Sequence, residues 1–546
     1  MGAAAGMVVF FLLYGTSTLH PTYDAWILNG YDEWDIQQHY AGWVLFRNSH
    51  WAFPLGLADT IAAPDGTVIS FTDSIPWVSI FFKALRGVLP STFQWFGWYT
   101  LFCFAMQGAA GALLCARGQA KTGAGALVFS TLGGLLFVML PTLWERAFRH
   151  TALASQWLFL LALYAFLEYR QNLHSGTSKF PWAMPVLAFL AVGIHPYFLP
   201  LVMMCALLAA VELGRQKKAW GRAALQFAAS LAAAVVGGVL CGAIGSGTGA
   251  SRSGYGDYSM NLNALINPTS RGGYTWSRLY QVMPQQPGQY DGFNYLGLGV
   301  LALVTAVLFS LRRAVRCPQN TKTWWHRNGP VFAACVFLTL FAVSNKIYWG
   351  NTGIELPLPA KLLELCGIFR SSGRMFYLVA ACMVVYAVYT LRDRLPGRYA
   401  VLVLALFVGV QAFDLSAAAQ QKRQKFADPI NATVVNNDQT ASLGAGHTQL
   451  LAAGEVREDR LRLLAILAGK QGLATNLDIA VSGSHPAAEA SRADTAARLA
   501  AGQYDPTAVY VTTDGATWEN WQAVFAGDDS LNFFVADSCY FMVPAV

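Results

Sequence analysis

The chain has 546 residues, 55% of them hydrophobic and only 12% charged, with a formal net charge of +7. Apolar runs of roughly 17–25 residues in such a composition exclude an ordinary soluble protein and predict a polytopic membrane protein. The basic residues do not gather in one patch, which excludes a nucleic-acid surface; they lie in short clusters between apolar runs, the pattern that encodes membrane orientation.

The first apolar run, Ala3–Leu19, lacks a basic flank and a small-residue cleavage site, so it reads as a retained helix rather than a removed signal peptide. An acidic loop follows, spanning 20–92 and carrying Asp24, Asp32, Glu33, Asp35, Asp59, Asp65 and Asp73. Carboxylates beside a bilayer are costly and usually kept for a purpose. From Asp35 to Arg47 the pattern predicts a short helix with Asp35, Gln38 and His39 on one face. With Trp43 and Phe46 as anchors, it is expected to lie as an amphipathic helix at the membrane surface. Trp77–Val88 is expected at the interface or as a re-entrant piece.

Further helices are predicted at Phe93–Cys115, Gly123–Leu140, Trp157–Tyr169, Trp182–Ile194, Leu199–Leu213, Ala224–Ile244, Leu296–Leu311, Val331–Val343, Met375–Leu391 and Tyr399–Phe413, about eleven in all. Basic clusters follow every second one, at Arg117, Arg170, Arg215–Arg222, Arg312–Arg327 and Arg392–Arg398. That alternation places these clusters in the cytoplasm. The acidic loop, the link WERAFRH, the turn at His195 and the loops 247–294 and 345–373 then share the opposite face.

Residues 1–414 therefore read as a transmembrane domain, and 415–546 as a small soluble α/β domain outside the cytoplasm. Strands are predicted there at 507–513 and 532–543. No phosphate-binding glycine loop and no nucleophile elbow is present, and the nine cysteines show neither a CxxC pair nor zinc spacing. No metal ligand is assigned; no cofactor is certain, and a divalent metal stays open.

Each polar motif has a structural reading beside its chemical one. Asp73 in SFTDSIPW suits a helix N-cap. Glu145 and Arg149, four apart, suit an ion pair. His195 before Pro196 suits a turn. Arg370 and Arg374 in FRSSGR, expected on one helix face, could clamp a phosphate with two guanidinium forks or anchor to lipid headgroups.

The runs WDIQQHYAGWVLFRNSHWAFPLG, SFTDSIPWVSIFFK, DGFNYLGLG and FRSSGRMFY together resemble a bacterial membrane family of unknown activity whose members look like GT-C type glycosyltransferases. The resemblance spans nearly the whole chain, including the C-terminal domain. It implies a GT-C-like helical domain in the bacterial inner membrane and a periplasmic C-terminal domain. It also implies inverting transfer of a sugar from a polyprenyl-phosphate donor to an envelope glycan or lipid acceptor. On that analogy Asp35 takes the loop-one carboxylate position, with Asp32 its competitor, Asp73 a second carboxylate and His39 a further catalytic candidate. Arg370 or Arg374 would hold the carrier phosphate, and Gln38, Arg149, His150 and His195 complete the substrate-binding set. A transporter or flippase of lipid-linked glycans, or a non-catalytic envelope scaffold, remains the alternative. Transporters tend to keep functional charges at the bilayer midplane, whereas here they lie in loops on one face.

Overall fold

Segments too apolar for water must pair their backbone polar groups internally, and helices do so within one segment. The computed structural model, which describes residues 1–29, 34–119, 123–177, 179–245, 253–311, 318–427, 433–480 and 485–545, is accordingly helical up to Lys425. The helices are α1 (Gly2–Tyr14), α2 (Ala25–Leu28), α3 (Trp34–Phe46), α4 (Pro76–Ala84), α5 (Phe96–Ala116), α6 (Ala124–Val138), α7 (Pro141–Arg146) and α8 (Trp157–His174). They continue with α9 (Ala183–Ile194), α10 (Phe198–Lys217), α11 (Trp220–Cys241), α12 (Leu298–Leu311), α13 (Pro318–Val343), α14 (Ala360–Gly367), α15 (Phe376–Arg394) and α16 (Gly397–Lys425).

Among the described residues seven segments, carrying α5, α8, α10, α11, α13, α15 and α16, are long and apolar enough to cross a membrane; α1, α6, α9 and α12 are shorter apolar helices. Every apolar run predicted from sequence is thus helical, with shifted ends. α1 stops at Tyr14 because Gly15 turns the chain with φ 68°. α13 begins well before Val331, continuing through Pro330, which in sequence reads as a boundary. α16 runs unbroken past 414 to Lys425, so the passage to the C-terminal domain is a continuous helix.

The basic clusters gather at one end of the bundle. There Arg392 donates to the Arg117 carbonyl at 2.6 Å, Arg394 to that of Ser310 at 2.7 Å, and Arg215 to that of His326 at 2.8 Å. The opposite ends of α8, α10 and α15 carry His150, His195 and Arg374.

The C-terminal domain contains α17 (Glu458–Gln471), α18 (Pro486–Ala500), α19 (Gly515–Val524) and a five-stranded mixed sheet in the order β6-β5-β7-β9-β8. Its strands are β5 (Gln449–Ala452), β6 (Ala474–Thr475), β7 (Ala508–Thr512), β8 (Leu531–Ala536) and β9 (Cys539–Pro544); two-stranded hairpins in the earlier loops supply β1 (Leu57–Ala58), β2 (Thr67–Val68), β3 (Lys346–Trp349) and β4 (Thr352–Glu355). The strand expected over 532–543 is a hairpin instead. Asp537 and Ser538, both at positive φ, form the tight turn that lets β8 pair with β9.

α3 is not the surface amphipathic helix expected from its sequence. Ile36 to Phe46 is buried throughout, with Trp43 and Phe46 fully enclosed. The C-terminal domain supplies part of the cover: Asn48 donates to the Gly469 carbonyl at 2.6 Å, and Lys470 pairs at 2.8 Å with Asp24, which also accepts from Tyr40. The acidic loop runs along the β6 edge as well, Thr475 N–H donating to Thr60 O and Ala63 N–H to Thr475 O. Pairing of that kind removes an open sheet edge. Gly469 permits the closest approach, since a Cβ there would meet Val44 Cγ2 at 2.5 Å. Gly469→Val should therefore destabilise the protein by about 1–3 kcal/mol through overpacking. A lowered midpoint in thermal unfolding of the full chain is the expected result; an unchanged midpoint would mean the helices do not pack this closely.

Candidate functional site

Three short segments build one side of a cavity at the end of the bundle away from the basic clusters. α3 presents Asp35, Gln38 and His39 to it. The 3-10 turn Ile69–Thr72 is held against α3 by Ser74, whose hydroxyl donates to the His39 carbonyl at 2.7 Å. Gly42 opens the space for it, since any side chain there would strike the Thr72 and Ser74 hydroxyls. Asp73 then adopts φ 55°, a left-handed conformation that aspartate tolerates better than most residues. It does not cap α4, whose N-cap is Ile75 without a side-chain bond. The Asp73 carboxylate instead faces the cavity, 3.5 Å from His150 Nε2 and 3.8 Å from His195 Nε2.

Three imidazoles surround Asp73 in a chain, His39 to His150 at 5.2 Å between ring centroids and His150 to His195 at 5.1 Å. His195 is the C-cap of α9, and its Nδ1 accepts from the Tyr197 N–H at 3.2 Å. Burial disfavours protonation of all three. It lowers His39 to about 4 despite Asp35, and lowers His150 and His195 further below the usual imidazole range with help from Arg374. Burial acts the opposite way on Asp73, pushing it up to about 7; Arg374 and Arg370 oppose the shift and Asp35 adds to it.

The other wall is cationic. Arg374 grips Asp291 with both arms of its fork, at 3.1 Å each, and Arg146 pairs with the same carboxylate at 2.7 Å. Burial alone would raise the Asp291 carboxyl, but the two guanidiniums outweigh it and hold it well below the carboxylate range. Arg374 also stacks on Tyr197, 4.6 Å from its centroid. The FRSSGR turn is pinned by Ser371 N–H to Tyr197 Oη at 2.9 Å and by Asn294 Nδ2 to the Gly373 carbonyl at 3.0 Å. Gly373 sits so close to Gly292 that a Cβ would lie 2.5 Å from its Cα. Arg370 precedes the 3-10 turn Ser372–Met375, so the two arginines do not share a helix face as expected. Arg370 packs over Tyr258 at 5.7 Å and has no carboxylate partner among the described residues. Arg149 is joined to Glu145, the i,i+4 pair expected from sequence.

The resulting cavity, of about 160 Å³, is lined by Asp35, Gln38, His39, Asp73, Arg149, His150, Arg370 and Arg374, and His195 stands just behind Asp73. Asp32 lies outside the described residues. Asp35 is half-buried and has no hydrogen bond or ion pair among the described residues. Arg146, Asp291, Arg271, Tyr258 and Tyr290 also line the cavity, and the sequence pattern does not single them out as site residues. A signal exists for Asp291, one of few acidic residues in the loop 247–294. Chemically, the arrangement places an unpaired carboxylate and an imidazole cluster against a cationic wall, as acid–base chemistry on a bound anion requires.

Residues 3–416 match the family model described as Domain of unknown function (DUF6311), and 439–544 match the DUF6311 C-terminal domain. The chain belongs to that family. Neither description assigns an activity, and no curated protein matches the chain.

Proposed function

We propose that this DUF6311 chain is a GT-C type membrane glycosyltransferase, moving a sugar from a polyprenyl-phosphate donor to an envelope glycan or lipid acceptor. The observation that carries the reading is that Asp35 and Arg370 line one cavity, a carboxylate and a guanidinium that each lack an ion-pair partner among the described residues. Inverting transfer needs these two groups. The acceptor hydroxyl oxygen attacks the anomeric carbon and its proton passes to Asp35, while the bond to the phosphate oxygen breaks. The departing phosphate keeps the electron pair and is held by Arg370. Arg374 serves by positioning, since its fork is taken by Asp291.

Two neighbouring features support a lipid donor and a polar acceptor. An apolar groove of about 500 Å³ runs between α13 and α15, bounded by Val331, Phe332, Leu340, Phe376, Val379 and Met383. It begins at Phe376, two residues beyond Arg374, where a prenyl chain attached to the bound phosphate would lie. A second cavity of about 320 Å³, lined by Glu455, Arg462, Asp478 and Arg492 of the C-terminal domain, shares Gln38 with the first. We assign it to the acceptor. The basic end of the bundle is placed in the cytoplasm of a bacterial inner membrane, and the cavity and C-terminal domain on the periplasmic face.

Arg370→Ala should weaken binding of the polyprenyl-phosphate donor by roughly 10–100-fold, the range of one charged hydrogen-bonding group. Arg370→Lys keeps the charge without the fork and should fall between. Unaltered donor binding in Arg370→Ala would remove this residue from the phosphate site. The function itself is tested by comparing envelope glycans of cells with and without the protein; loss of one sugar linkage is expected, and an unchanged glycan profile would oppose the reading.

A further inference from the structure

His39, Asp73 and His150 come from three separate segments, α3, the turn after it and the link before α8, yet they converge on one point. One donor atom from each lies within 4.8 Å of the others. The spacing does not suit a hydrogen-bond network. His150 Nε2 stands 3.5 Å from Asp73 Oδ2, and no hydrogen bond joins His39 to either. An N–H···O bond is commonly about 2.7–3.2 Å. Two ligands each about 2.1 Å from a tetrahedral ion are instead separated by roughly 3.4 Å. The Nδ1 atoms of both His39 and His150 are buried without a partner.

We propose that His39, Asp73 and His150 bind a divalent transition-metal ion of the zinc class, with a fourth position open to the cavity. Two imidazole nitrogens and one carboxylate oxygen suit zinc and similar ions, and three protein ligands with an open position mark a site that works on a bound molecule rather than a structural one. His195 is a positioning residue. Its Nδ1 accepts from the Tyr197 N–H, which fixes the ring with Nε2 toward the second Asp73 oxygen, 3.8 Å away. Arg374 is held by Asp291, a carboxylate it shares with Arg146. The open position faces the wall that carries Arg370, so the ligand class it admits is an oxygen anion, a phosphate oxygen among them.

The proposal stands apart from sugar transfer and is tested without any donor. Full-length protein in detergent, free of affinity tags and stripped with a chelator, is titrated with Zn²⁺ against a chromophoric competitor and with Co²⁺ by visible absorption. Wild type should take up a single tight equivalent, with Co²⁺ bands of four-coordinate intensity. His150→Ala and Asp73→Asn should lose it, and His195→Ala should keep the stoichiometry with affinity lowered by roughly 10–100-fold. Asp73→Asn, nearly isosteric, decides the matter should an alanine variant fail to fold. No tight equivalent in wild type, or the same uptake in Asp73→Asn as in wild type, would overturn the site. Either result leaves the assignments of Asp35 and Arg370 untouched.

Discussion

If the chain transfers sugar as proposed, Asp35→Asn should lower turnover by roughly two to four orders of magnitude, the contribution of one positioned acid–base group, and leave donor binding largely intact. The amide keeps the shape of the side chain but cannot accept the acceptor proton. Binding should survive because the phosphate contact is assigned to Arg370, not to Asp35. Asp35 has no ion-pair or hydrogen-bond partner among the described residues, so its replacement breaks no such bond among them. Turnover and donor affinity measured on the same preparation separate the two effects. Wild-type turnover in Asp35→Asn would remove Asp35 as the base.

The largest effect on stability is expected at Asp291. It accepts from Arg146 at 2.7 Å and from both arms of Arg374, and all three side chains are at least nine-tenths buried. Removing the shared carboxylate leaves two guanidiniums confined together without a counter-charge. Asp291→Ala should cost about 3–5 kcal/mol, the range for breaking a buried ion pair. The expected readout is a strongly lowered unfolding midpoint in detergent, or loss of monodisperse protein. Recovery in Asp291→Ala combined with Arg146→Met would identify the stranded charge as the cause. A midpoint equal to wild type in Asp291→Ala would refute the triad as a structural element.

Hydropathy is a local property, so the apolar runs from Ala3 to Phe413 are legible in the sequence. Each is found as a helix, and only the ends move, at Gly15, Pro330 and Lys425. Counting basic residues puts Asp35, Asp73, His150, His195, Arg370 and Arg374 on one side of the chain, and the structure brings them to the rim and walls of a single cavity. Three features are not legible because they are non-local. Trp43 is enclosed by Phe82, Phe93 and Trp95 and Phe46 lies under Lys83, while Val44 and Asn48 meet Gly469 of α17, over four hundred residues away in sequence, so an apolar helix face looks like a membrane anchor. The fork of Arg374 looks available because Asp291 lies in a different loop. The convergence of His39 with Asp73 and His150 follows from Gly42 admitting the Thr72–Ser74 turn, which no spacing rule encodes. In the C-terminal domain, the single strand expected over 532–543 is divided by Asp537 and Ser538, neither a glycine nor an Asn-Gly turn signal.

Transfer and transport make opposite demands on one bond, and that bond gives the most direct test. Purified protein is placed in liposomes containing polyprenyl-phosphate sugars with a labelled sugar, together with envelope glycan or lipid acceptors, and the lipids are analysed by mass spectrometry. The account predicts that the sugar–phosphate bond is cleaved, free polyprenyl phosphate accumulates, and label appears on an acceptor in wild type but not in Asp35→Asn. Labelled donor that crosses the bilayer with its sugar–phosphate bond intact, equally in both proteins, would contradict it.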